Sequence, residues 1–113
     1  MRAWASLLIL FAASACGGET PCPAPAAHWL RTAPADADTL VVDRYDRIVW
    51  NGALTSQERL RDTLNKADAA GRTVSLVPQP GASCAKIQTV RLAMERSLSC
   101  GTGRCAEVAS GKN

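Results

Sequence analysis

TLVVDRYDRIVWNGALTSQERLRDTLNKADAAGRTVSLV, residues 39–77, decides the fold. Thr39-Leu40-Val41-Val42 is apolar and partly β-branched, as strands are. Asp43-Arg44-Tyr45-Asp46 is polar and turn-like. Arg47-Ile48-Val49-Trp50 reads as a second strand, stopped by Asn51-Gly52, a pair that tolerates positive φ. Two short runs with a tight polar connection predict a hairpin. Thr55-Ser56-Gln57-Glu58 reads as a capping box. In it the Thr55 hydroxyl accepts from the N–H three residues on, and Glu58 reaches back to the Thr55 N–H. Leu60, Leu64 and Ala67 then share one helical face, with Arg59, Arg61, Asp62, Lys66 and Asp68 mostly opposite. Gly71 supplies the stop, so a helix is predicted over 56–70. Thr73-Val74-Ser75-Leu76-Val77 alternates as a third strand. Pro78-Gln79-Pro80-Gly81 forbids its continuation.

Toward the C-terminus, Ser83 can cap a second helix with the apolar stripe Ile87, Val90, Met94 and Leu98. Met94 in that stripe is core filler. Gly101 is expected to end the helix, and Arg104–Val108 reads as a short fourth strand. The order β-β-α-β-α-β predicts a small α+β domain over 38–113, one sheet with two helices on one face. So small a core is marginal, which gives cross-links a physical purpose.

Toward the N-terminus, residues 16–37 form a Pro/Ala-rich tether in which Pro21, Pro23, Pro25 and Pro34 oppose helix and central strand. His28-Trp29-Leu30 is its one apolar knot, and it can pack on the domain with help from a disulfide at Cys22. Before the tether, Arg2 precedes an apolar run from Ala3 to Phe11, and Ala13-Ser14-Ala15 precedes Cys16. A positive start, a short apolar core and small residues define a secretory signal over 1–15. Ala3–Ala15 as a helix spans only about 20 Å, short of a hydrocarbon core of about 30 Å. A retained transmembrane anchor is therefore disfavoured.

Composition limits function. The chain carries 13 Lys+Arg against 10 Asp+Glu, intermixed along its length, so nothing marks a nucleic-acid surface. Beyond the signal the aromatics are Trp29, Trp50 and Tyr45, too few for an evident stacking platform. Five cysteines are many for 113 residues. With Cys16 set aside, Cys22, Cys84, Cys100 and Cys105 remain, an even number that predicts two disulfides in an oxidising compartment. Zinc is disfavoured because Cys-x2-Cys spacing is absent and His28, the only histidine, lies in the tether. Cys100-Gly-Thr-Gly-Arg-Cys105 lacks redox-motif spacing.

Four cysteines allow three pairings. A helix between Cys84 and Cys100 would hold them roughly 24 Å apart, far beyond disulfide reach. Cys22–Cys84 with Cys100–Cys105 is the expected pattern. Cys22–Cys100 with Cys84–Cys105 is the alternative, and it requires Cys105 to reach the helix start. No catalytic set is legible, because Ser75 and Ser83 have no base beside them and no phosphate loop or carboxylate pair appears.

Two resemblances add expectations. Ala13-Ser14-Ala15-Cys16 resembles the lipobox of bacterial lipoproteins, with Ala13 where Leu is commoner. It implies acylation of Cys16, cleavage before it, and a lipid-anchored protein on the periplasmic side of the cell envelope. Gly17, where Asp would imply inner-membrane retention, favours the outer membrane. Thr39–Val108 resembles the periplasmic domain of the ExbD/TolR biopolymer transport family. The likeness lies in Trp50-Asn51-Gly52, Leu54-Thr55 with Leu60, the strand Val74–Val77, and Ala85, Ile87, Val90, Ala93 and Met94 closing at Gly101. It implies a non-enzymatic domain without cofactor. The partners it implies are a TonB-like protein, peptidoglycan or a second copy of the chain. The family's transmembrane helix and its proton-carrying aspartate have no counterpart here, so the motor role does not carry over. A structural envelope lipoprotein unrelated to transport is the alternative.

Overall fold

A computed structural model describes residues 22–109. The signal segment and Cys16 lie outside the described residues. The elements are β1 (Asp38–Val42), β2 (Ile48–Trp50), β3 (Ala53–Thr55), α1 (Gln57–Ala69), β4 (Val74–Pro78), α2 (Cys84–Ser97), a 3-10 turn (Cys100–Thr102) and β5 (Cys105–Glu107). One sheet runs in the order β3-β2-β1-β4-β5. β1 and β2, and β2 and β3, are antiparallel. β1 pairs parallel with β4, and β4 with β5. Both parallel crossovers step the same way along the sheet. Right-handed crossovers of that kind place their helices on one face, where α1 and α2 pack together. The protein is thus a small α+β domain. Among the described residues no helix is long and apolar enough to cross a membrane.

The strand alternation read from the sequence builds the core. Leu40, Val42 and Ile48 point to the helices and are buried, as are Val74 and Leu76. Leu60, Leu64 and Ala67 of α1 and Ile87, Val90 and Met94 of α2 close over them. These residues form one cluster.

Three local expectations are corrected. The chain does not run from Gly52 straight into the helix but adds β3. Asn51 (φ 47°) and Gly52 (φ 89°) form a two-residue turn, and Trp50 then pairs with Ala53. Positive φ at both turn residues gives the twist that suits a tight hairpin. The second correction concerns the cap. Thr55 pairs with Ile48 as the last residue of β3, so the cap moves to Ser56, whose Oγ accepts from the Arg59 N–H at 3.1 Å. The capping box at Thr55 does not form. Ser56→Ala is expected to cost about 1 kcal/mol in a denaturant melt, and Thr55→Ala less. The reverse order would restore the cap to Thr55.

The third correction is at the end of α2. The helix stops at Ser97 rather than at Gly101, because Leu98 turns extended (φ −118°, ψ 154°) and enters the core. Ser99 N–H then bonds Asp68 Oδ1 of α1 at 2.9 Å. Gly101 lies in the 3-10 turn, and Gly103 (φ 86°) turns the chain into β5. The end of α1 is as expected. Gly71 (φ 72°) donates to Asp68 O and Arg72 to Ala67 O, a Schellman closure.

The Pro-rich stretch joins the folded unit. Trp29 is 3% exposed and belongs to the core cluster. Leu30 donates to Cys105 O at 2.9 Å and accepts from Glu107 N–H at 3.0 Å, extending the sheet past β5 by one parallel bridge. Disulfides join Cys22 to Cys84 and Cys100 to Cys105, with Cα separations of 5.1 and 4.8 Å.

Candidate functional site

The four paired cysteines do not gather into one site. Cys84 opens α2 at the carboxyl end of β1 and β4, whereas Cys105 pairs with Val74 at the opposite end of the sheet. His28 lies on the surface, its Nε2 3.2 Å from Glu95 Oε2. Trp29 Nε1 also donates to Glu95. Among the described residues no group of three or more His, Cys, Asp or Glu is placed to hold a metal.

The carboxyl end of the parallel pair is the more organised end. β1 leads to β2 on one side and β4 leads through α2 to β5 on the other, so the chain diverges there. Such divergence points leave a crevice. Here it has a volume of about 410 Å³ and is lined by Asp43, Arg44, Tyr45, Arg47, Gln79 and Pro80. Its walls are the β1–β2 turn and the β4–α2 loop.

Asp43 builds the turn. Its Oδ1 accepts from the N–H groups of Tyr45 (2.9 Å) and Arg47 (2.8 Å), and its Oδ2 from Arg47 Nε at 2.7 Å. Asp46 takes the left-handed conformation (φ 63°), which Asp tolerates, and its Oδ1 accepts from Ser83 N–H at 2.8 Å. That bond locks the turn to the start of α2. Gly81 (φ 96°) allows close approach, since a Cβ there would lie 3.0 Å from Arg44 Cβ. Tyr45 is 64% exposed, and the guanidinium carbons of Arg44 and Arg47 each lie 5.1 Å from its ring centroid. Arg47 is neutralised by Asp43, while Arg44 has no carboxylate partner among the described residues. The crevice is therefore a rigid polar notch offering one uncompensated cation beside an amphipathic ring. In the sequence, Asp43–Asp46 is legible only as a polar turn. The signal for the crevice is the clustering of two arginines around Tyr45 in that turn.

At the other end, Asp38 is nearly buried and fully engaged. Arg72 donates through Nε to Oδ2 (2.9 Å) and through Nη2 to Oδ1 (3.1 Å), and Asn51 Nδ2 adds a bond of 3.1 Å. This clamp ties β1, the β2–β3 turn and the α1–β4 connection.

Three carboxylates are consequently more acidic than usual. The Arg72 hydrogen bond lowers Asp38, outweighing burial. Burial raises Asp43, but the backbone and side chain of Arg47 and the Tyr45 N–H outweigh it. The Ser83 hydrogen bonds lower Asp46. Folded values below unfolded ones mean stabilisation that is fully present above about pH 5 and lost as pH falls through the lowered values. Denaturant-measured stability is expected to hold from neutrality to about pH 5 and to decline below about pH 4. Asp38→Asn is expected to lower stability at neutral pH and flatten the acid decline. An unchanged acid slope would remove Asp38 from this account.

The helix-free face of the sheet differs from both ends. The register sets Leu54 opposite Val49, Val49 opposite Val41 and Val41 opposite Val77. This apolar row crosses four strands, with the three valines half-buried and Leu54 64% exposed. No protein-family model and no curated protein matches the chain.

Proposed function

We propose that this protein is a lipid-anchored, non-enzymatic domain of the bacterial envelope that binds a protein or cell-wall partner through the open face of its sheet. The observation that carries the binding reading is the row Leu54–Val49–Val41–Val77. No helix of the described residues lies over it. Leu54 is exposed and the three valines are half-buried, and a contiguous apolar strip left open on a sheet face is where a partner can dock. β3, which carries Leu54, is an edge strand of only three residues, which limits edge-to-edge pairing and favours docking on the face. The Ala-Ser-Ala-Cys junction supports the anchor. The likeness to ExbD/TolR makes a TonB-like segment, peptidoglycan and a second copy the partners to try first.

Cells expressing the protein with a photoreactive residue at Val49 or Leu54 test this, combined with an alkyne palmitate label. A discrete adduct from the sheet positions is expected, with none from Arg61 on α1. The label is expected on wild type and absent from Cys16→Ser. Equal labelling of the variant overturns the anchor, and equal adducts from α1 overturn the binding face.

A further inference from the structure

We infer that the Arg44–Tyr45 end of the domain lies against the anionic headgroups of the bilayer that holds Cys16. The inference rests on the lipid-anchor reading above, and three placements carry it.

The first is reach. Cys16 and Cys22 are six residues apart, a span of at most about 20 Å when fully extended. A domain of this size is about 30 Å across. Cys22 is bonded to Cys84, the first residue of α2. The tether therefore enters the fold at the start of α2, and that end stays closest to the lipid.

The second is what else sits there. Ser83, next to Cys84, donates to Asp46, so the β1–β2 turn shares this end. Lys86 Nζ reaches Gln57 Oε1 at 3.1 Å, which brings in the start of α1. Arg44, Tyr45, Arg47 and Lys86 are thus presented together around the point of attachment.

The third is the chemistry. Asp43 is paired with Arg47 and two backbone N–H groups, while Asp46 accepts from the neutral Ser83 N–H and keeps its charge. Glu58 and Arg59, both exposed in the first turn of α1, add no net charge to this end. Asp46 acts on Lys86 through space, so Arg44 is the one cation of this end left in excess among the described residues. That cation is drawn to an anionic leaflet. Exposed tyrosine favours the headgroup level, where its ring and hydroxyl are both accommodated. One excess cation and a ring would bind weakly alone. The tether holds them at high effective concentration. The Asp38 clamp then faces away from the membrane, and the open sheet face stands across the gap between them, free for a partner.

The test uses the acylated full-length protein in nanodiscs of phosphatidylcholine containing phosphatidylglycerol and a gadolinium-chelating lipid. NMR broadening of backbone amides reads the distance to the headgroups. Amides of Arg44, Tyr45 and Gln79 are expected to broaden several-fold more than those of Asn51 and Gly52. The contrast is expected to shrink in phosphatidylcholine alone, at high salt, and in Arg44→Gln and Arg44→Gln/Tyr45→Ser/Lys86→Gln. Unchanged amide shifts at Leu40 and Leu76 report that the variants fold. Equal broadening at the two ends, or more at Asn51, overturns the docking while leaving the anchor intact. A mature chain whose mass shows no acyl group on Cys16 overturns the anchor, and the docking with it.

Discussion

Trp29→Ala is expected to lower the unfolding free energy by about 3–5 kcal/mol, the usual range for emptying a buried indole site. The indole is 3% exposed, belongs to the main core cluster and donates its N–H to Glu95 of α2. Truncation removes its apolar contacts and leaves a cavity that the Pro-rich backbone around it cannot collapse to fill. Trp29→Phe keeps most of the ring and loses the N–H bond, so about 1–2 kcal/mol is expected. Urea unfolding followed by circular dichroism measures both. A loss under about 1 kcal/mol for Trp29→Ala would mean that residues 22–31 open independently of the domain.

Removal of the Cys22–Cys84 bridge in the double variant Cys22→Ser/Cys84→Ser is expected to have an effect of similar size. The bridge closes a separation of 62 residues. Restricting so long a loop in the unfolded chain stabilises the fold by about 4 kcal/mol on the chain-entropy account. The Cys100–Cys105 bridge spans a separation of 5 and contributes about 2 kcal/mol on the same account. The two double variants, compared in urea without reductant, should therefore lose stability in that order. A larger loss from Cys100→Ser/Cys105→Ser would show that native packing around the turn, and not loop closure, governs the bridges. Trp29→Ala and the Cys22 variants act on the same segment, so their effects are not expected to add.

The parts of the fold that the sequence makes legible are those with their own period. The α1 stripe of Leu60, Leu64 and Ala67 and the α2 stripe of Ile87, Val90 and Met94 are read directly, and both bury as read. The hairpin of β1 and β2 is equally plain, because Asp43–Asp46 separates two apolar runs. β3 escapes because Ala53-Leu54-Thr55 is too short to show alternation and runs straight into the helix cap. The cap shifts by one residue for the same reason. Thr55 and Ser56 are both competent caps, and only the pairing of Thr55 with Ile48 decides between them. Trp29 is masked by the prolines around it. Its burial depends on β5, which lies far along the chain.

The candidate site is less legible still. Asp43–Arg47 and Gln79–Pro80 meet only because β1 and β4 run parallel in register, with Val42 opposite Pro78. No local pattern encodes a pairing between segments that far apart. The row Leu54–Val49–Val41–Val77 has the same origin. Each valine is visible as a strand residue, but their alignment is a property of register.

The attachment of Cys22 to Cys84 also has a mechanical meaning. Tension entering the folded unit at its N-terminal end would otherwise act on Trp29 and Leu30, and the two bonds of Leu30 along β5 would break one after the other, as a zipper opens. The disulfide diverts that load into the first turn of α2. From there it spreads through a helix that packs along its length against α1 and the sheet, so the load is borne by many contacts at once. A protein held at one end and pulled by a partner on its sheet would keep its fold until those contacts fail together.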